Sequence, residues 1–384
     1  MEIPEPFPIK KFRKTSWAEM EKVSWSDLNR EDWRYTKYDA FFPSAFIYSD
    51  IDSTNISGLT SKDVSSGVEV AKYPEQPNKI IPFIQNNGRN HCFNDKWTFL
   101  NAALFNRGVF VEIPKDYTVE GPLYIHHIFK GKGSEFPLTF LKLNEGSELN
   151  VIEEFTGEPG ALKEIISNTV INLEDNAKLN HVHIQNLSQE SKTLHYQNVF
   201  LNKDAALQTH SVQIGSKILR VIQNIELRAP GSNLKNYGLL YGSHKQHMDI
   251  ETNQHHKASN TRGELLYRHV LTDSARSIFK GKIVIGKGNT FCKSSQKNEN
   301  LLLSPKAEAI SLPKLEILNN EVQCNHGSTI SSIDEDQLFY LASRGIGNDD
   351  ARKMIIEGFF ETIIRKSATD FMAGLISKRV KEVL

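Results

Sequence analysis

The chain has 384 residues, with Lys+Arg and Asp+Glu both at 46, so its formal net charge is zero. That balance gives no electrostatic case for nucleic acid or an anionic membrane as the main partner. Hydrophobic residues make up 39% and charged residues 24%, an ordinary soluble composition. No run approaches the roughly 20 apolar residues of a membrane span. The opening MEIPEPFPIKKF lacks the apolar core of a signal peptide, so a cytoplasmic location is expected. The three cysteines, Cys92, Cys292 and Cys324, are odd in number and sparse, which argues against a disulfide framework. None belongs to a CxxC pair, so no structural zinc site is expected.

Residues 1–105 read as a mixed, mostly helical and irregular region carrying Trp17, Trp25, Trp33 and Trp97. Within it, Asn94–Asn106 places Trp97, Leu100, Ala103 and Leu104 at helical spacing. Residues 106–328 change texture. Short β-rich runs such as Val109–Ile113, Leu138–Leu143, Val199–Leu201 and Ile283–Ile285 alternate with Gly, Asn, Asp and Ser turns.

A weak repeat runs through this region. NEGSELN (Asn144–Asn150), EDNAKLN (Glu174–Asn180), NKDAALQ (Asn202–Gln208) and APGSNLK (Ala229–Lys235) each set a polar turn before a leucine. Leu149, Leu179, Leu207 and Leu234 are separated by 30, 28 and 27 residues. A period of this size marks a solenoid, in which each coil buries its apolar face against its neighbours. The units are strand-like and lack a fixed leucine lattice. A right-handed parallel β-helix with an apolar interior therefore fits better than helical or leucine-rich repeats, with a β-sandwich as the alternative. Leu149, Leu179 and Leu207 should stack in its core.

Residues 329–384 return to helical spacing. Asp334 is placed to cap a first helix with Gln337, and that helix ends at Arg344–Gly345. A second helix from Asn348 has Ala351, Met354, Ile355, Gly358 and Phe359 as its apolar face. A third carries Ala368, Phe371, Met372, Leu375, Ile376 and Val380. One helical face is expected to cap the solenoid, and the remaining apolar stripe is a candidate partner surface.

The sharpest segment is QCNHGSTISSIDEDQLFYLASRGI, Gln323–Ile346. Cys324 and His326 are two apart and so share one face of a strand. Thiolate and imidazole together suit soft metals and iron–sulfur chemistry, while the plainer reading is a buried Cys and a hydrogen-bonded His in the last coil. The segment resembles the C-terminal signature of the SufB/SufD family: Cys-x-His-Gly-[Ala/Ser]-Thr, then a Leu-Phe-Tyr-Leu helix ending in Ser-Arg-Gly-Ile. FKGKIVI (Phe279–Ile285), QKNENLLLS (Gln296–Ser304), LPKLEI (Leu312–Ile317) and DWRYT (Asp32–Thr36) fit as well. Two departures resemble the SufD side of the family. SufB has His-Glu where this chain has His326–Gly327, and a cysteine where this chain has Ala307.

That resemblance implies a non-catalytic scaffold subunit of an iron–sulfur cluster assembly complex. It implies pairing with a SufB-like subunit through β-helix edges, with homodimerisation possible in isolation. It also implies docking of a SufC-like ABC ATPase by the C-terminal helices, with Leu338, Leu341, Met354, Ile355 and Phe359 as contact residues. A transient cluster, or iron, would sit at the SufB interface near His326 and Cys324. No cofactor is expected in the isolated chain.

Other motifs read more plainly. His244, His247, His255 and His256 are better explained as surface or coil-stacking side chains than as metal ligands, and His126–His127 likewise. GKGN (Gly286–Asn289) lacks the lysine–serine pair of a phosphate loop and reads as a corner. A carbohydrate-active β-helix enzyme is the alternative function. It needs clustered carboxylates, yet Glu153–Glu154 and Glu174–Asp175 are adjacent pairs whose members face opposite ways. A generic β-helix interaction protein is the milder alternative.

Overall fold

The computed structural model describes residues 5–24, 31–42, 54–87, 93, 95–158 and 160–384. Trp25 and Cys92 lie outside the described residues. The middle of the chain is a two-sheet parallel β-solenoid, as its 27–30-residue period predicts. Successive strands alternate between a nine-stranded and a ten-stranded sheet. The nine-stranded sheet includes Thr118–Phe129, Glu148–Gly157, Lys178–Asn186, Ala206–Gln213, Asn233–Gly242, Arg262–Leu271, Lys293–Leu302 and, at its end, Gln323–Ser332. The ten-stranded sheet ends at Glu308–Ile317. Short strands Thr54–Ser57 and Glu69–Tyr73 add antiparallel to the other end of each sheet.

The leucine column is real. Leu149 opposes Leu179, Leu179 opposes Leu207, and Leu207 opposes Leu234 in register, all buried. The turns before these leucines also stack. Asp116, Gly146, Asn176, Asp204, Gly231 and Asn260 all take positive φ at one corner. Each passes its amide to a carbonyl of the next coil, for example Asn176 to Lys203 at 2.8 Å. Only Gly, Asn and Asp adopt that left-handed conformation at low cost, which is why the repeat is written in those residues. Truncating Leu179 to Ala should cost about 2–5 kcal/mol. Chemical denaturation would measure it, and a loss below about 1 kcal/mol would show that this column does not carry the core.

The interior is only partly the apolar one predicted. Beyond the leucines, the centre of each strand turns polar side chains inward. Glu153 is fully buried, accepts from Thr139 and Thr169 at 2.6 and 2.9 Å, and lies 3.6 and 3.7 Å from His127 and His181. Its carboxyl is held well below the usual range: burial pushes it up, and the nearby His127 and His181 imidazoles outweigh that push. His183 stacks on His195, rings 4.1 Å apart, and Gln197, Gln223, Asn236 and Tyr267 continue the network.

The helices are α1 (Phe7–Lys22), α2 (Ser61–Ser65), α3 (Ile81–Asn87), α4 (Lys96–Leu104), α5 (Glu335–Ser343), α6 (Asn348–Ile364) and α7 (Asp370–Lys381). α4 is the helix expected from Trp97, which is fully buried against Trp33 and Phe41. The DWRYT segment straps onto the ten-stranded sheet. Thr36 donates to Asp249 at 2.6 Å, Trp33 lies 4.2 Å from the Arg220 guanidinium, and Lys280 donates to the Asp32 carbonyl. Arg220 is fully buried and bridges Asp249 and Glu251, both at 2.6 Å.

The C-terminal helices do not cap the solenoid. They turn back and pack on the outer face of the nine-stranded sheet, where Ile152, Val182, Ile184, Val212, Leu239, Leu266 and Val270 meet Ile356, Phe360, Ile363, Met372, Ile376 and Val380. The apolar face expected on α6 is therefore rotated. Ala351 is buried as expected, but Ile356 and Phe360 face the sheet, Ile355 and Phe359 are half-buried, and Met354 and Gly358 are exposed. On α7, Met372, Ile376 and Val380 are buried, whereas Phe371 is 57% exposed and Ala368 precedes the helix. Arg379 to Glu154 at 2.5 Å and Lys366 to Glu264 at 3.1 Å fasten the helices to the sheet.

Candidate functional site

Because the helices lie alongside, the last coil is open. Its final strand, Gln323–Ser332, is hydrogen-bonded on one side to Lys293–Leu302, and Ser294 opposes Cys324 while Gln296 opposes His326. Ser294 and Gln296 are buried on the inward row, so Cys324 and His326 occupy that same row one coil further out. With no coil above among the described residues, His326 is exposed, Cys324 is half-buried and Ile330 is 51% exposed. The spacing argument is met: both side chains belong to one face, at the mouth of the solenoid.

The two groups differ in environment. Cys324 packs partly on Ile283, Ile285 and Cys292. That burial pushes its thiol above the ordinary value. In this state it is a thiol and needs a cation or metal nearby to become a competent ligand. Beneath it lies a polar chain. Gln254 donates to Ser294 at 2.9 Å, His256 meets Thr261 at 2.6 Å, and Thr261 meets the Cys292 sulfur at 3.2 Å. Cys292 itself is fully buried. Among the described residues no three His, Cys, Asp or Glu side chains converge as metal ligands. Cys324 and His326 can supply two ligands at most, and any others must come from another molecule.

The remaining histidines do not gather. His244 is exposed at a positive-φ turn, its amide bonded to Asp273. His247 holds Thr36 of the strap at 2.8 Å. His255 lines a cavity of about 640 Å³ between the strap and the sheet. His256 is buried in the chain under Cys324. His126 meets Thr156 at 2.8 Å on the outside, and His127 faces the interior. Glu153 and Glu154 do face opposite ways: Glu154 binds Arg379 and Tyr124 on the outside.

Of the expected contact residues, Leu338 is not on the surface. It is buried with Ile333 and Ala351 at the foot of α5, where Asp334 caps the helix through the Asp336 and Gln337 amides. Leu341 packs partly on that cluster, and Ile355 and Phe359 pack partly on the sheet. The Arg268 guanidinium lies 4.7 Å from the Phe359 ring. Met354 is 51% exposed, and the residues that sequence reading overlooked are Phe339 and Tyr340, at 76% and 58%. Their signal was present: they directly follow Leu338, so a helix that buries Leu338 must turn them outward.

An open-ended parallel β-solenoid with its candidate ligands on the last strand defines a β-solenoid protein whose candidate site lies on an edge rather than in an enclosed cleft. Residues 127–359 match the family model described as the SufBD core domain of the SUF system for FeS cluster assembly. The chain belongs to that family. It is 31% identical over 243 residues to the iron–sulfur cluster assembly protein SufD of Escherichia coli (strain K12), covering 62% of this chain and 57% of that protein. It is 23% identical over 337 residues to SufBD family proteins of Staphylococcus epidermidis and Staphylococcus haemolyticus, covering 86% of this chain and 70% of each relative. No helix among the described residues is long and apolar enough to cross a membrane.

Proposed function

We propose that the chain is a non-catalytic scaffold subunit. It pairs through its open end with a SufB-like subunit, and a nascent iron–sulfur cluster forms there beside His326 and Cys324. The observation that carries this reading is the uncapped strand Gln323–Ser332, which holds both side chains on its inward row at the mouth of the solenoid. An unpaired edge is a template for another strand. The neighbouring terminal strand Glu308–Ile317 is interrupted by Pro313, which removes a donor, so Gln323–Ser332 is the better edge. Here the metal ion and sulfide are substrates being assembled, and this chain contributes a neutral imidazole and, once deprotonated, a thiolate.

A SufC-like ABC ATPase docks on α5 and α6. Phe339, Tyr340 and Met354 form the exposed apolar contact, with Leu338, Leu341, Ile355 and Phe359 holding the helices in place behind it. Replacing Phe339 and Met354 with Asp should weaken binding of the ATPase at least about tenfold, roughly 1.4 kcal/mol, with the solenoid still folded. Co-purification of this chain with SufB-like and SufC-like partners, followed by titration of the ATPase against the variant, tests both halves. Failure to co-purify sinks the scaffold reading, and unchanged ATPase affinity sinks the docking surface.

A further inference from the structure

An open groove runs along the outer face of the nine-stranded sheet, beside the loop between α6 and α7. Two cavities of about 210 and 370 Å³ form it and share Asn233 and Lys235. Asn150, Asn180 and Gln208 line the first, and Ser295 and Asn325 the second. Lys366, in the loop, holds two of the lining residues: its carbonyl accepts from Gln208 and its ammonium pairs with Glu264.

The groove's charge is uneven. In the first cavity Lys178 is paired with Glu148 at 2.5 Å. In the second, next to the final strand, Lys235, Arg262 and Lys293 are exposed and have no ion-pair partner among the described residues. Glu264, the carboxylate lining that cavity, is taken by Lys366. Arg262 stands directly opposite Lys293 in register. Like charges in that position destabilise a sheet. Elsewhere on this face the cations are matched, Arg268 and Lys297 both to Glu299.

We infer that this groove binds an extended, carboxylate-rich segment of a protein partner. Its length and openness suit a polypeptide better than a compact small molecule. The amide side chains along it offer both donors and acceptors to a peptide backbone. Arg262 offers a planar fork for a carboxylate, with Lys293 and Lys235 adding charge on either side.

The test is fluorescence anisotropy with fluorescein-labelled hexaglutamate at low salt, where such contacts are least screened. Saturable binding is expected, weakened at least about tenfold by the double variant Arg262→Glu/Lys293→Glu. The control Lys10→Glu/Lys11→Glu makes the same net-charge change on exposed positions of α1 and should leave binding within about twofold. Arg262→Gln/Lys293→Gln replaces the reversal if that variant fails to fold, and should also weaken binding. The inference is overturned by absence of saturable binding, by equal weakening in both charge-reversal variants, or by wild-type affinity in the Arg262/Lys293 variants. Displacement of the peptide by inorganic pyrophosphate at or below the peptide's own midpoint also overturns it, because the site would then be one for compact phosphates.

Discussion

Lowering the pH from 7 toward 4.5 should unfold the chain cooperatively. Five buried imidazoles are kept neutral by burial. His195, His210 and His256 are pushed down to about 4, His269 to about 3, and His183 well below its usual value. An unfolded histidine takes up its proton near pH 6.5, whereas these cannot until the pH is far lower. Stability from each is fully present above pH 6.5 and is lost as the pH falls toward the folded value. One pH unit of separation is worth about 1.4 kcal/mol per group, so several such groups together are large against the roughly 5–15 kcal/mol of a typical domain. Glu153, held low, is lost in the same direction. Asp95 and Glu251 are raised by burial and gain in acid, but two carboxyls do not offset five imidazoles. Melting temperature followed by circular dichroism should drop steeply below pH 6. A flat profile from pH 7 to 5 would show that the interior histidines are not buried neutral.

His326→Ala should leave the assembled complex intact and reduce its cluster content at least about tenfold. The side chain is exposed on the last strand, so its loss leaves no buried cavity. Iron and acid-labile sulfide would be measured per complex after co-expression with the partner subunits, together with subunit stoichiometry. Normal cluster yield in an intact complex refutes a role for His326. Loss of assembly would assign it to the interface alone. Cys324→Ser is expected to have the smaller effect, because the thiol starts protonated.

The solenoid and its register were legible because the turn chemistry and the leucines repeat together: a Gly, Asn or Asp at the corner, then a leucine three positions later. The strand interiors were not. In His181-Val182-His183-Ile184-Gln185 the polar residues face inward and the apolar ones outward, because α7 covers the outside. Alternation alone is symmetric about the sheet and cannot say which face is wet. The same ambiguity hid the rotation of α6, whose buried stripe is set by ridges on the sheet rather than by its own sequence. Cys324 and His326 were found through their spacing of two and the signature segment around them. Their location at an open mouth was not, since nothing local in those residues says that the next coil is missing. The Arg220 cluster was missed for a related reason: Trp33 and Asp249 are 216 positions apart, and only the fold brings them to one guanidinium.

The helical tail also limits how this chain can change length. Repeat arrays ordinarily grow or shrink by whole units, since each unit rests only on its neighbours. Here α6 and α7 reach from Leu301, in the last-but-one strand of their sheet, back to Glu154, five strand spacings away. At about 4.8 Å per spacing, a unit duplicated inside that stretch would carry Glu154 away from Arg379 and slide every ridge beneath the helices out of step. A unit added before Glu148 would spare the Arg379–Glu154 contact and displace only Tyr124, at the edge of this cluster. Insertions and losses among natural variants should therefore accumulate ahead of Glu148 or at the corners, with the stretch from there to Leu301 constant in unit number.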